Sequence, residues 1–325
     1  MSNGYITLKN HDPLLDLDIA ILLAEASAAA YSDETATIWA LQNELGDANL
    51  INQGNIQGFW CVKDDVALLA FRGTSNPGQW IRDVRILPMS HPWGWIHRGF
   101  GKGIENIEED YRKFLITINQ LSGRKVWVTG HSLGGALAVI AAANLKIDKV
   151  TPIVYTYGQP RPSYGEFAER FAKELPSQLY RFINQSDIVA RVPPDPFYNH
   201  SGTPKRIINT NATGAIFGLV ATNPDIEIIQ QVVSTAEPEI PTISEAIHDG
   251  EVFLKTSETA SVTPEEFSKL QKALGADAEP LGDLPEETFS TASAEAQLAG
   301  AIPFFADHAI SEYIRLLKEI KAISQ

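Results

Sequence analysis

Gly130-His131-Ser132-Leu133-Gly134 follows the apolar run Lys125–Val128 and opens the Ala-rich stretch Leu133–Leu145. A serine set between two glycines, where a strand turns into a helix, is arranged for nucleophilic attack. Such a turn strains the backbone and pushes the hydroxyl out of the sheet. Side chains two residues to either side would collide, so both places are glycine. The helix start behind Ser132 offers unbonded N–H groups and a positive dipole end, where an oxyanion can be held. A chance match is expected in roughly one chain in ten of this length, and the flanking strand and helix argue against chance.

A nucleophilic serine needs a base, and the base an orienting acid. In the order expected for such an elbow, the acid and then the histidine follow the serine. His11, His91 and His97 precede it, and His131 is adjacent and expected to point elsewhere. His200, His248 and His308 remain. His248 lies in an acidic stretch with no strand before it, whereas His308, in Asp307-His308-Ala309-Ile310, sits on a loop entering the last helix. His308 is therefore the first choice and His200 the alternative. For the acid, position selects Asp187, just past the strand Gln178–Asn184, with Asp195 close by in Pro193-Pro194-Asp195-Pro196. A plain turn cap would also explain Asp187. The oxyanion needs two donors. The N–H of Leu133 supplies one, and Thr74, in Arg72-Gly73-Thr74 at the end of a strand, fits the other. An ordinary strand-ending turn is the competing reading.

These residues need a scaffold. Asp16–Tyr31 reads as a helix, and Ile56–Val62 with Val66–Phe71 as a hairpin closed by Lys63-Asp64-Asp65. Arg72–Ser90 reads as a loop with a short amphipathic piece, Gln79–Ile86. Gly99–Leu121 has apolar residues at helical spacing. Strands at Lys125–Val128, Pro152–Tyr157 and Gln178–Asn184 alternate with helices at Leu133–Leu145 and Tyr164–Glu174, and His308–Ile323 is a closing helix. This alternation implies a mostly parallel sheet covered by helices on both faces.

The 325 residues are 44% hydrophobic and 20% charged, ordinary for a globular chain with a sizeable core. The net charge of −14 argues against a nucleic-acid partner. Between Asp225 and Asp307 there are 17 acids and 3 bases, which accounts for the whole excess. The stretch 225–301 is thus expected to be an acidic helical insertion with its own surface, a cap or subdomain before the histidine. Cys61, the one cysteine, cannot form an internal disulfide. With no signal peptide visible, a cytoplasmic placement is expected, or secretion if a leader lies outside this sequence.

Taken together, Phe71-Arg72-Gly73-Thr74, Trp80 with Asp83, His97-Arg98-Gly99-Phe100, Val128 to Gly135, Tyr157-Gly158-Gln159-Pro160-Arg161, Asp187-Ile188-Val189 with Pro193-Pro194, and Asp307-His308 resemble the class 3 lipases, the fungal lipase-like branch of the α/β-hydrolases. They recur in that family's order over about 16–209 and 307–317. The resemblance implies a single α/β-hydrolase domain over 1–325, with a core at about 10–209 and 303–325. It implies Ser132, Asp187 and His308 as the triad, Thr74 and Leu133 as the oxyanion residues, and hydrolysis of lipid or other acyl esters without cofactor or metal. It also implies a lid over Ser75–Ile96, in which Trp80, Ile81, Val84, Ile86 and Leu87 would meet substrate and touch a lipid surface transiently; burial against the core is the competing reading. A phospholipase A1 or feruloyl-type esterase would use the same residues, and a catalytically silent lipase-like binding protein would keep only the scaffold. The missing disulfide cysteines and the 120 residues between Asp187 and His308 depart from the fungal pattern.

Overall fold

In the computed structural model, the described residues are 4–10, 16–77, 80–81, 87–121, 123–184, 187–193, 198–208, 218–221, 268 and 308–323. The acidic segment 225–301 lies outside them except for residue 268, as do His11, Asp83, Val84, Ile86, Asp195, His248 and Asp307.

Three helices lead the chain: α1 (Gly4–Lys9), α2 (Leu17–Ala29) and α3 (Asp33–Gln42). Asp16 caps α2 by accepting from the N–H groups of Asp18 and Ile19, and Ser32 caps α3 through Thr35 N–H. The strands β1 (Asn49–Gln53), β2 (Ile56–Lys63) and β3 (Val66–Phe71) then form an antiparallel meander. A separate hairpin, β4 (Pro88–His91) and β5 (Gly94–His97), precedes α4 (Arg98–Asn106) and α5 (Glu108–Asn119). The central strand β6 (Lys125–His131) runs into α6 (Leu133–Ile147), followed by β7 (Ile153–Tyr157), α7 (Gly165–Glu174), β8 (Leu179–Asn184), β9 (Thr203–Ile208), β10 (Gly218–Ala221) and α8 (Ile310–Ile323).

Among the described residues the main sheet has the order β1-β2-β3-β6-β7-β8-β9-β10, with neighbours parallel from β3 to β9 and antiparallel at both edges. Both faces are covered, so the inner strands are apolar along their whole length: all six residues of β3 are buried. Leu69, Phe71 and Val128 face a core built with α4, α5, α6 and α7. Leu68, Trp127 and Tyr155 face the opposite core, closed by α2 and α8. This is the expected α/β architecture with a mostly parallel sheet.

Two expectations change. The helix read over 99–121 is two helices, broken at Ile107, which is 1% exposed and turns out of helical geometry at φ −97°, ψ 17°. The acidic run Glu108-Glu109-Asp110 favours the start of a fresh helix there. The second change concerns the expected lid, whose last nine residues, 88–96, belong to the β4–β5 hairpin built into the fold. Trp93 inserts between Phe167 and Phe171 of α7, with ring centroids 5.9 and 6.0 Å apart. The N–H of His97 donates to Pro162 O and that of Tyr164 to Trp95 O.

Candidate active site

Ser132 stands between the last residue of β6 and the first of α6, at φ 57°, ψ −131°. A non-glycine residue rarely adopts this backbone, and its presence marks stored strain at a functional turn. The turn closes so tightly that a Cβ on Gly130 would lie 2.2 Å from Gly134 O, and one on Gly134 would lie 2.4 Å from Phe71 O. Both glycines of the sequence pattern are therefore required by contact. Ser132 gives α6 no side-chain cap, which leaves the first N–H groups of that helix available.

Beside this turn lie Asp187 and His308, 121 residues apart in sequence. His308 Nδ1 is 2.9 Å from Asp187 Oδ1 and 2.8 Å from Oδ2. Asp187 is fully buried and His308 2% exposed. The carboxylate is held from two further sides: the Tyr313 hydroxyl donates to Oδ2 at 2.7 Å, and Val189 N–H donates to Oδ1 at 2.8 Å. Tyr313 is itself fixed, since its oxygen accepts from Asn184 N–H at 2.9 Å. Gly158 forms the floor. At φ 58° a Cβ there would stand 2.5 Å from Asp187 Oδ2 and 2.8 Å from His308 Nδ1. Ser132 Oγ and His308 Nε2 are both buried and, among the described residues, make no hydrogen bond. These are the atoms a substrate would engage, and such contacts often tighten only around bound substrate.

The strand end 71–74 completes the site. A Cβ on Gly73 would fall 2.7 Å from Ser132 Cβ and 2.6 Å from the Tyr31 hydroxyl, so this loop is pressed against Ser132. Thr74 Oγ1 accepts from Asn76 N–H at 3.1 Å, which occupies a lone pair and leaves its proton to point elsewhere. Trp80 and Ile81 are buried, and the Trp80 ring stacks on Phe100 at 5.9 Å. The Leu87 side chain is exposed, while its carbonyl accepts from Arg98 N–H and the Tyr198 hydroxyl.

His200, the alternative base, is held elsewhere: its Nε2 is 2.8 Å from Ala190 O, and its Nδ1 has no hydrogen-bond partner among the described residues. Burial, with Arg181 and Arg161 nearby, pushes its pKa well below the usual histidine range. It has no contact of the kind His308 makes with Asp187. Tyr313, Gly158 and Tyr31 take part in the site without having been singled out for it. His131, expected to point away, instead lays its ring against His308 at 4.6 Å. Among the described residues no group of three or more His, Cys, Asp and Glu is placed to hold a metal ion.

Residues 68–197 match the family model described as Lipase (class 3). The chain is 33% identical to a lipase of Rhizomucor miehei over 147 residues, 41% of this chain and 39% of that protein. It is 35% identical to secreted mono- and diacylglycerol lipase 1 of Fusarium solani over 140 residues, 41% of each. The chain thus spans about two fifths of the length of these relatives. A solved structure reported as "A serine protease triad forms the catalytic centre of a triacylglycerol lipase" superposes with a TM-score of 0.53 at 25% identity, over 59% of this chain and 80% of that one. Lipase II from Rhizopus niveus shares the fold, with a TM-score of 0.54 at 23% identity over 58% and 80% of the two chains.

Proposed function

From its membership of the class 3 lipase family, to which this chain belongs, we propose that it is a serine hydrolase of carboxylic esters, with acyl glycerols or similar lipid esters as substrates. The observation that carries the reading is the buried contact of His308 Nδ1 with both oxygens of Asp187, beside a serine held at positive φ in a strand-to-helix turn.

In the proposed reaction Ser132 Oγ bonds to the acyl carbonyl carbon and its proton passes to His308 Nε2. Asp187 holds the Nδ1 proton and stabilises the imidazolium. The carbonyl oxygen takes up the negative charge against the N–H groups of Leu133 and Thr74, with the Thr74 hydroxyl as a further donor. The ester's alcohol leaves with the proton from His308. Water then attacks the acyl-enzyme, giving its proton to His308, and the acid departs as Ser132 regains a proton. Every proton in this sequence has a protein group to receive it. Cys61 lies outside this chemistry, for burial pushes its thiol up to about 12. It needs no oxidising compartment, and the proposal includes a cytoplasmic placement.

A fluorophosphonate probe, followed by turnover of p-nitrophenyl esters of increasing chain length, trioleoylglycerol emulsion and phosphatidylcholine vesicles, tests the reading. Labelling at Ser132 that disappears in Ser132→Ala, with glycerolipid turnover above phospholipid turnover, is expected. A folded wild type that neither labels nor hydrolyses any ester would overturn the hydrolase. Preference for phosphatidylcholine, or for feruloyl esters in a parallel assay, would overturn the substrate class alone.

A further inference from the structure

We infer that His131, the residue before the nucleophile, is a positioning residue that ties the main chain of the base His308 to the same strand end that carries Ser132. The inference rests on the hydrolase reading above.

His308 enters α8 through a turn, and its carbonyl stands outside that helix's hydrogen-bond ladder. The N–H groups of Glu312 and Tyr313 both bond to Ala309 O, at 3.0 and 3.3 Å. The His308 carbonyl bonds instead to His131 Nε2 at 2.6 Å, in the buried interior. A carbonyl only accepts, so Nε2 carries the proton. The other ring nitrogen, Nδ1, is then an acceptor, and the Tyr31 hydroxyl donates to it at 2.8 Å. The tautomer of His131 is thereby set from both sides. Asp187 alone would leave the His308 ring free to swing about its Nδ1 contact; the carbonyl tether supplies the second fixed point. Because residues 131 and 132 are adjacent, nucleophile and base are registered to each other through one peptide.

The ring must also stay neutral to do this beside a base that becomes charged. The groups facing it are Tyr31 from the turn after α2, whose ring lies under the Arg72 guanidinium at 5.3 Å, Tyr313 from α8 and His308 itself. Among the described residues no carboxylate bonds to it. Burial first, and then the neighbouring His308, hold its pKa well below the usual histidine range.

The test compares His131→Phe, which keeps a ring but no donor, His131→Gln, whose amide can both donate to the carbonyl and accept from Tyr31, and Tyr31→Phe. Readouts are kcat and KM on p-nitrophenyl butyrate, fluorophosphonate labelling rate, and the downfield proton resonance of the His308 Nδ1–H···Asp187 bond. His131→Phe should lower kcat by about 10²-fold with KM within twofold, the scale expected for a small misplacement of a catalytic group. It should also broaden or remove the downfield resonance, and His131→Gln should restore both. Tyr31→Phe should lower kcat less than His131→Phe does. A folded His131→Phe with near-wild-type kcat and an unchanged resonance would overturn the inference. So would a Gln variant as impaired as Phe, and, should the Phe protein not fold, so would a Tyr31→Phe protein indistinguishable from wild type in kcat and resonance. A wild type that does not label would instead overturn the hydrolase reading, while the resonance still reports whether His131 holds His308.

Discussion

The two sides of Ser132 are held in place by different forces. On the side of the proposed base, Asp187, His308, Tyr313, His131 and Tyr31 are joined by hydrogen bonds of 2.6–2.9 Å over Gly158. On the side of the oxyanion loop, Trp80, Phe100, His97 and Tyr198 are fitted ring against ring at 4.6–5.9 Å. Hydrogen bonds fix direction, which proton transfer between two atoms demands. Ring packing fixes volume and tolerates sliding, which suits a wall that meets substrates of different size. The base side should therefore govern turnover, and the packed side selectivity.

The contrast breaks first if the base is misassigned. His308→Ala should lower kcat by on the order of 10⁴-fold or more, the scale of losing a triad member, whereas His200→Ala should leave kcat within a few-fold while lowering stability. An active His308→Ala with a dead, folded His200→Ala would reverse the roles. Next in size is Gly158→Ala. Its methyl would press on both Asp187 Oδ2 and His308 Nδ1 from a backbone at φ 58°. A loss of about 10²-fold in kcat is expected, with a penalty of about 1 kcal/mol for the left-handed residue. Steady-state kinetics beside urea unfolding separates the two effects.

Tyr313→Phe is the milder probe of the same side. It removes one donor from a buried carboxylate, and hydrogen bonds to charged groups contribute about 1.5–3 kcal/mol. Asp187 retains Val189 N–H and His308, so a kcat loss of about tenfold is expected, with KM unchanged. A larger change in KM than in kcat would move Tyr313 into substrate binding.

How much of this could be read beforehand follows from distance along the chain. The elbow, Thr74 and the order of acid and histidine lie in short local patterns, and their positions were named from residue type and spacing. The partners were not. Tyr313 lies on the same helical stripe as Ile310 and Leu317 and reads as a core residue until the fold brings it to Asp187, 126 residues away. The His131 contacts with Tyr31 and His308 span 100 and 177 residues. Gly158 had a signal, its place in Tyr157-Gly158-Gln159-Pro160, but no local pattern says what it touches. Helix α3 buries only Ala36, Trp39 and Ala40, too few to mark a period. The β4–β5 hairpin escaped notice because its tryptophans suited a lid as well as a core. Trp93, in the turn, is buried against α7 while Trp95, in β5, is 48% exposed, a difference that only the position of α7 decides.

The packed side is probed by Trp80→Ala. Its indole N–H is buried and has no hydrogen-bond partner among the described residues, where the ring is held by stacking on Phe100. Short-chain ester turnover should stay within about threefold, with a shifted preference for long chains, read from kcat/KM across p-nitrophenyl esters. A fixed core tryptophan would cost about 3–5 kcal/mol when truncated. A wall segment that swings away without global unfolding should cost well under that in urea unfolding. The full core penalty with an unchanged chain-length profile would make Trp80 plain core and remove the proposed contrast.

The mildest test uses pH and reaches both sides at once, because each contributes a buried histidine whose pKa burial lowers. His131 belongs to the base side, and His200 follows the Tyr198 segment of the wall. Burial is the leading cause of the lowered pKa in both, joined by His308 for the first and by Arg181 and Arg161 for the second. In the unfolded chain each returns to about 6.5. Above that pH neither state binds the proton and nothing is lost. Below it the unfolded chain takes up protons that the folded one refuses, so stability falls as pH drops, by roughly 1 kcal/mol per pH unit for each group. The urea midpoint should accordingly be flat from pH 8 to 7 and fall from 6.5 to 5, before paired carboxylates begin to titrate. His200→Gln should remove one share of that slope, His91 and His131 supplying the others, while leaving ester turnover at pH 7 nearly unchanged. His131→Gln should remove a similar share of the slope. Equal slopes in wild type and both variants would mean that neither histidine is held neutral by folding. A slope lost in only one variant would show which side of Ser132 admits the proton first.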